Sequence, residues 1–238
     1  MTTTVSARWV VLDIEGTLTA TSQVHVVLYG YARPRLGPWI DDHPGDPAVT
    51  SAVRDAKQLG GLPEQASTSE VVAVLHRWMD EDRKAAPLKT LQGLIWQRGY
   101  AEGDLTTEYF PDVVPALRTW HDAGLTLAIF SSGSVAGQIA SFSRTTEGDL
   151  TGLFAAHFDT VNAGPKREAR SYRAIATGLG AEPGDIVFFS DVPAELDAAE
   201  ADGWQTVGVA RPGEPYEEAG FGSHPAVATF DEVKVIRR

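Results

Sequence analysis

The chain of 238 residues contains no cysteine. A disulfide framework, a thiolate metal site and a cysteine nucleophile are therefore excluded, and a reducing compartment is a natural setting. Cationic charge is also scarce: 20 Lys and Arg stand against 32 Asp and Glu, giving a formal net charge of -12. A nucleic-acid partner needs clustered Lys and Arg along the phosphate backbone, and an anionic membrane surface needs the same. Neither partner is expected. A small phosphorylated molecule stays open, because a few local cations and backbone N–H groups are enough to hold one. No stretch approaches the ~18 consecutive apolar residues of a membrane-spanning helix. Met1 to Ser6 is short and polar, with no signal-peptide character. Repeats, low-complexity tracts and coiled-coil patterns are missing as well. The expectation is a cytoplasmic monomer.

What the chain does have is material for a core. Hydrophobic residues make up 43% and aromatics 9%, enough for one large domain or a domain with an insert. Trp9-Val10-Val11-Leu12 is a short apolar run ending at Asp13, and similar runs recur at 125–130, 185–189 and 205–209. Short apolar runs bounded by polar turns suit buried parallel strands. Between them the pattern turns helical. Val113, Val114, Leu117 and Trp120 share a face, with Asp112 placed to cap and Gly124 to stop the helix. Tyr172, Ile175 and Leu179 mark a second helix after Lys166, and a third starts near Pro193 and ends at Gly203. This alternation predicts an α/β fold with a parallel sheet covered by helices on both faces.

The stretch 23–110 differs. Val71, Val74, Leu75, Trp78 and Met79 repeat at helical spacing, strand-like runs are few, and 41–47 is rich in Asp, Pro and Gly. It reads as a helical insert after the first strand. The predicted division is a core of 1–22 and 111–238 with a helical cap at 23–110.

Four places carry chemistry. Asp13-Ile14-Glu15-Gly16-Thr17 follows the first strand, and ligands of open parallel sheets bind at carboxyl strand ends. Asp13 there can be a nucleophile or metal ligand, and Glu15 a general acid and base. Gly16 permits a sharp turn and the Thr17 hydroxyl can tie the loop. Ser131-Ser132-Gly133-Ser134 offers hydroxyls and backbone N–H groups before a helix, as an anion cradle or as a plain cap. Lys166 could neutralise a transferring phosphoryl group or could be a solvated surface lysine. Asp191, ending the run at 185–189, could complete an oxygen-ligand site for Mg²⁺ or cap the next helix. Glu195 and Asp197 fall inside that helix, where exposed charges or supporting roles are expected. The six His residues lack metal-ligand spacing, and Arg33 and Arg35 could face the site from the insert, with exposed helix charges the default reading.

Each signal alone has an ordinary structural explanation, but their order does not. Asp-x-Glu-Gly-Thr, a strand ending in Ser, then Lys, then a strand ending in Asp is similar to the four-motif order of the haloacid dehalogenase superfamily. That superfamily usually has Asp where Glu15 stands. With Glu15, the chain resembles the enolase-phosphatase (acireductone synthase) family of methionine salvage. The resemblance extends over Leu91-Gln92-Gly93-Leu94-Ile95-Trp96, Gly99-Tyr100, His157-Phe158-Asp159-Thr160, Glu168, Ser171-Tyr172, Glu195-Leu196-Asp197-Ala198-Ala199 and Arg211-Pro212-Gly213.

The resemblance implies a Rossmann-like doubly wound core with a helical cap. It implies one Mg²⁺ per chain and a phosphorylated diketone substrate, 2,3-diketo-5-methylthiopentyl-1-phosphate, which is enolised and then dephosphorylated. Carried over, Asp13, Glu15 and Asp191 form the metal site, Glu15 through its backbone carbonyl. Asp13, Glu15 and Lys166 are catalytic, and Ser131, Ser132 and Lys166 hold the phosphate. The chain departs from the family at Leu18-Thr19-Ala20, Gln23-Val24-His25 and Tyr29-Gly30-Tyr31-Ala32, near the start of the cap. Rival readings are a phosphatase for a related phosphorylated ketone or other metabolite, a dehalogenase, and an inactive metabolite-binding homologue.

Overall fold

The computed structural model describes residues 2–238, which divide into two compact units, 24–106 and the remainder. The larger unit contains all the strands. β1 (Thr3–Ala7) is followed at once by β2 (Trp9–Leu12). Then come α6 (Val113–Asp122), β3 (Thr126–Phe130), α7 (Val135–Ser143), β4 (Phe154–Phe158), α8 (Ala169–Leu179) and β5 (Ile186–Ser190). α9 (Pro193–Glu200), β6 (Gln205–Val209), β7 (Ala226–Val227) and β8 (Val233–Arg237) complete it. The helices that precede residue 107 lie in the smaller unit.

The main sheet is fully parallel, in the order β4-β3-β2-β5-β6-β7. Successive strand residues point to opposite faces, so each strand feeds two cores. Val10, Leu12, Leu127, Ile129, Val187 and Phe189 pack on one face with Val113, Leu117 and Trp120 of α6 and Phe142 of α7. Val11, Ala128, Phe130, Ile186 and Phe188 pack on the other with Tyr172 and Ile175 of α8 and Leu196 and Ala199 of α9. Burying such a side chain contributes roughly 1.5–3 kcal/mol before entropy is counted. Both faces of β2, β3 and β5 are covered, which is why these strands read as unbroken apolar runs.

β2 sits at the point where the strand order turns: β3 and β4 lie to one side of it and β5 to β7 to the other. Crevices at such points, outside the carboxyl strand ends, are where open α/β sheets bind ligands.

Two features depart from the sequence reading. The segment before Trp9 is a strand, β1, pairing in parallel with β8 from Thr3↔Val233 to Ala7↔Arg237. The helical insert therefore follows the second strand in chain order. Asp112 precedes α6 without capping it: its backbone is αR, not extended, and its side chain accepts no cap hydrogen bond. Its carboxylate is bound instead to Arg211 and to the Phe230 N–H.

The smaller unit is helical. A π-helical turn, Gln23–Leu28, leads into α1 (Tyr29–Ala32), and α2 (Leu36–Asp42), α3 (Pro47–Gly60), α4 (Thr68–Asp80) and α5 (Ala86–Glu102) follow. Asp46 caps α3 by accepting from the N–H groups of Ala48 and Val49, and Pro47 takes the first helical position. Ser67 and Glu70 form a reciprocal capping box on α4. Val71, Val74, Leu75, Trp78 and Met79 face the core of this unit together with Leu36, Leu88, Leu91 and Ile95. Arg33 is bound to Asp80 at 2.6 Å, and the Arg35 guanidinium lies 3.6 Å from the Tyr31 ring centroid. Among the described residues, no helix is long and apolar enough to cross a membrane.

Candidate active site

The candidate side chains of the larger unit come from the carboxyl ends of β2, β3 and β5, from the loop after β4 and from the first turn of α9. Asp13 follows β2 and continues its ladder, the Asp13 N–H donating to the Phe189 carbonyl at 3.0 Å. Gly16 then turns the chain with φ of +74°, in the left-handed region that favours glycine. The N–H groups of Thr17, Leu18 and Thr19 all donate to the Ile14 carbonyl, closing a tight turn. Ser131 extends β3 in the same way, its N–H donating to the Phe158 carbonyl. Asp191 follows β5.

Lys166 reaches this place from the loop after β4. Gly164, with φ of +108°, lets that loop press against Ser171, whose hydroxyl donates to the Pro165 carbonyl. The Tyr172 hydroxyl donates to the Lys166 carbonyl at 2.8 Å. Helix α8 thus pins the loop and aims the lysine inward. Only 6% of Lys166 is exposed, which removes the solvated-surface reading.

The Lys166 ammonium stands 2.6 Å from Asp13 Oδ1 and 2.6 Å from Glu195 Oε2. It also lies 5.7 and 5.9 Å from the ring centroids of Phe130 and Phe188, within reach of a cation–π attraction. Ser190 donates to Glu195 Oε2 at 2.9 Å. Asp191 is fixed from the first turn: its N–H donates to the Thr17 hydroxyl at 3.0 Å, and that hydroxyl faces Asp191 Oδ1 at 3.4 Å. A β-carbon on Gly16 would stand 2.2 Å from Asp191 Oδ2, so the carboxylate occupies space that only glycine leaves.

Asp13 and Glu195 thus share one ammonium with Asp191 nearby, so full ionisation of the three carboxyls would leave two negative charges uncompensated. Burial pushes the Asp191 carboxyl up to about 8, helped by the nearby Asp13 charge. Burial likewise raises Glu195 to about 7, although Lys166 opposes the shift. Burial would lower the Lys166 ammonium, but Asp13 and Glu195 more than offset it and hold the charge on. A site that charges two acids so reluctantly is short of positive charge.

A divalent cation would supply it. Among the described residues no three acidic or imidazole side chains form a metal cluster. A cation here would draw on the Asp13 and Asp191 carboxylates and complete its shell with a backbone carbonyl, water and substrate oxygens. That sparse oxygen set suits Mg²⁺. The Glu15 backbone lies in the same turn, in a bridge with Thr19, and the residue is half-buried.

Ser131 is buried and its hydroxyl accepts from the Gly133 N–H at 3.3 Å, whereas Ser132 is exposed at the turn. Gln138 braces this turn by donating to the carbonyls of Gly133 and Phe158, and the Asp159 carboxylate accepts from the Val135 N–H. Glu195 is the site residue that the sequence reading placed among supporting charges. A signal was available: Glu195 and Ala199 share the buried face of α9, whereas Asp197 is exposed. His224, buried between Thr206 and Asp197, is structural.

The family model for haloacid dehalogenase-like hydrolases matches residues 7–203. A protein from Saccharopolyspora erythraea named Enolase-phosphatase E1 is 73% identical over 236 residues, 99% of this chain and 98% of that protein. Another of that name from Frankia alni is 56% identical over 97% of this chain and 96% of its own length. Among solved structures, the UTR4 protein of Saccharomyces cerevisiae superposes with a TM-score of 0.75 at 26% identity, covering 94% of this chain and 99% of that one.

Proposed function

Because the chain belongs to the enolase-phosphatases within the haloacid dehalogenase-like hydrolases, we propose that it converts 2,3-diketo-5-methylthiopentyl-1-phosphate to the acireductone in methionine salvage. The reaction runs in two stages, enolisation and then hydrolysis of the phosphate ester. The observation that carries the reading is the buried Lys166 bridging Asp13 and Glu195 beside Asp191 at the carboxyl ends of the strands. It joins an acid, a cation and a cation-deficient pocket in one place, which phosphate chemistry requires.

In this reading one Mg²⁺ per chain is held by Asp13, Asp191 and the Glu15 backbone carbonyl. When bound, it supplies Lewis-acid polarisation of substrate oxygens. The Glu15 side chain takes a proton from the carbon next to a carbonyl and returns one to oxygen. Lys166 stabilises negative charge as it develops on the enolate or the phosphoryl group, at no reorganisation cost, because its position is already fixed. Ser131 and Ser132, with the N–H groups of their turn, cradle the phosphate. Asp13 is the carboxylate on which phosphate release depends.

A coupled assay tests this, following enol absorbance and free phosphate in the presence of Mg²⁺. Wild type gives both signals. Asp13→Asn abolishes phosphate release. Glu15→Gln slows enolisation by about 10²- to 10⁴-fold, the usual worth of a positioned general base. Release of phosphate from generic esters alone would leave a phosphatase with another substrate, and silence toward every phosphorylated ketone would leave a metabolite-binding protein.

A further inference from the structure

Arg211 stands two residues beyond β6 and is 1% exposed. Its Nη1 donates to both carboxylate oxygens of Asp112, at 2.8 and 2.7 Å, and to the Ala228 carbonyl at 3.3 Å. Its Nε donates to the Thr17 carbonyl at 3.0 Å. The rings of Phe110 and Phe230 lie against the guanidinium, with centroids at 4.6 and 4.8 Å. Asp112 Oδ2 is held in turn by the Phe230 N–H at 2.6 Å.

A buried Arg–Asp pair is costly to desolvate and is often replaceable by apolar side chains without loss of stability. What the guanidinium provides here is geometry. Its rigid fork holds a carboxylate with one nitrogen and a backbone carbonyl with another, which a lysine ammonium cannot do in the same plane.

The carbonyl it holds belongs to Thr17, and the hydroxyl of Thr17 is the group that fixes Asp191. Neighbouring bonds grip the same turn. The Phe110 N–H donates to the Leu18 carbonyl, and the Glu214 carboxylate accepts from both the N–H and the hydroxyl of Thr21. Segments 110–112 and 211–214 therefore hold residues 17–21, the stretch whose Thr17 hydroxyl is bound to Asp191.

We propose that Arg211 is a positioning residue that, by clamping the Thr17 carbonyl, sets the Asp191 carboxylate for a divalent cation. The proposal rests on the assignment of Asp191 to cation binding made above. Loss of the clamp frees the Thr17 peptide to rotate. The hydroxyl then leaves Asp191, and the carboxylate swings from the place that Gly16 keeps open.

The test uses the full chain stripped of metal and titrated with Mg²⁺ by calorimetry, with kcat, KM and thermal unfolding measured alongside. Arg211→Lys weakens Mg²⁺ binding about 10- to 100-fold, the range seen when a residue supporting a metal ligand is lost. Its kcat falls at limiting Mg²⁺ and largely recovers at saturating Mg²⁺, while KM for the phosphorylated substrate changes little. Thr17→Val produces the same pattern, and the double variant is no worse than the poorer single one, as expected of two residues on one path. Should Arg211→Lys fail to fold, Asp112→Asn, which keeps the guanidinium but loosens its anchor, takes its place in the comparison.

Asp191→Asn separates the two ways of being wrong. If it binds Mg²⁺ as wild type does, the assignment of the cation site fails. If it loses Mg²⁺ while Arg211→Lys binds normally, or while the Arg211 and Thr17 effects simply add, the cation site stands and the clamp is refuted.

Discussion

Lys166 carries more than one burden at the scale of a single residue. Its ammonium is shared between Asp13 and Glu195 at equal distance, and all three side chains are buried. Removing one partner of a buried ion pair leaves uncompensated charge and typically costs about 3–5 kcal/mol. Lys166→Met therefore lowers stability by that order and stops phosphate release. Adding Glu195→Gln removes one of the two orphaned charges, so the double variant regains part of the unfolding temperature. It regains no activity, because Asp13 and the phosphate still lack their cation. Denaturant unfolding and the phosphate assay on the single and double variants check both halves. A double variant no more stable than Lys166→Met would mean that Glu195 is not paired with Lys166 in solution.

The elements matter through their ends, and the turn after β2 is the most constrained. At Gly16, alanine would have to adopt φ of +74° and place its β-carbon 2.2 Å from Asp191 Oδ2. The backbone cost is roughly 1–2 kcal/mol, and the carboxylate must also move. Gly16→Ala thus loses Mg²⁺ affinity more than it loses stability, a contrast that titration and thermal unfolding together reveal. A loss of stability alone, with Mg²⁺ binding unchanged, would separate the turn from cation binding.

What the sequence disclosed about these elements follows from how local each cause is. The apolar runs of β2, β3, β5 and β6 were legible because both sheet faces are covered, and their ends marked Asp13, Ser131 and Asp191. β1 was not, because its pairing partner β8 lies at the other end of the chain and its five residues are only partly apolar. Asp112 had the sequence position of a helix cap, but Arg211, far away in the chain, is a stronger partner than an N–H group. Glu195 was masked by its charge, since an acid in a helix is usually solvated. Only the loop that brings Lys166 across the strand ends makes its burial sustainable.

At the scale of the whole molecule, the surplus acid at the strand ends ties stability to pH. Asp191 and Glu195 are raised in the folded protein, to about 8 and about 7, chiefly by burial and further by Asp13. Unfolded, both titrate near ordinary carboxyl values, about 4. Between these limits the folded state binds more protons than the unfolded state, so metal-free stability falls as pH rises from about 5 to about 8 and levels off above that. On the proposed cation site, Mg²⁺ would reverse the disadvantage, because it would bind the deprotonated carboxylates and have to displace protons at low pH. The stabilisation by Mg²⁺ is therefore small near pH 5 to 6 and grows toward pH 8, while the unfolding temperature in chelator declines over the same interval. Asp191→Asn flattens both curves, since it removes the acid with the larger shift. Thermal unfolding across this range, with chelator and with Mg²⁺, measures it directly. A Mg²⁺ effect independent of pH would mean that the cation is held by groups other than this buried acidic cluster.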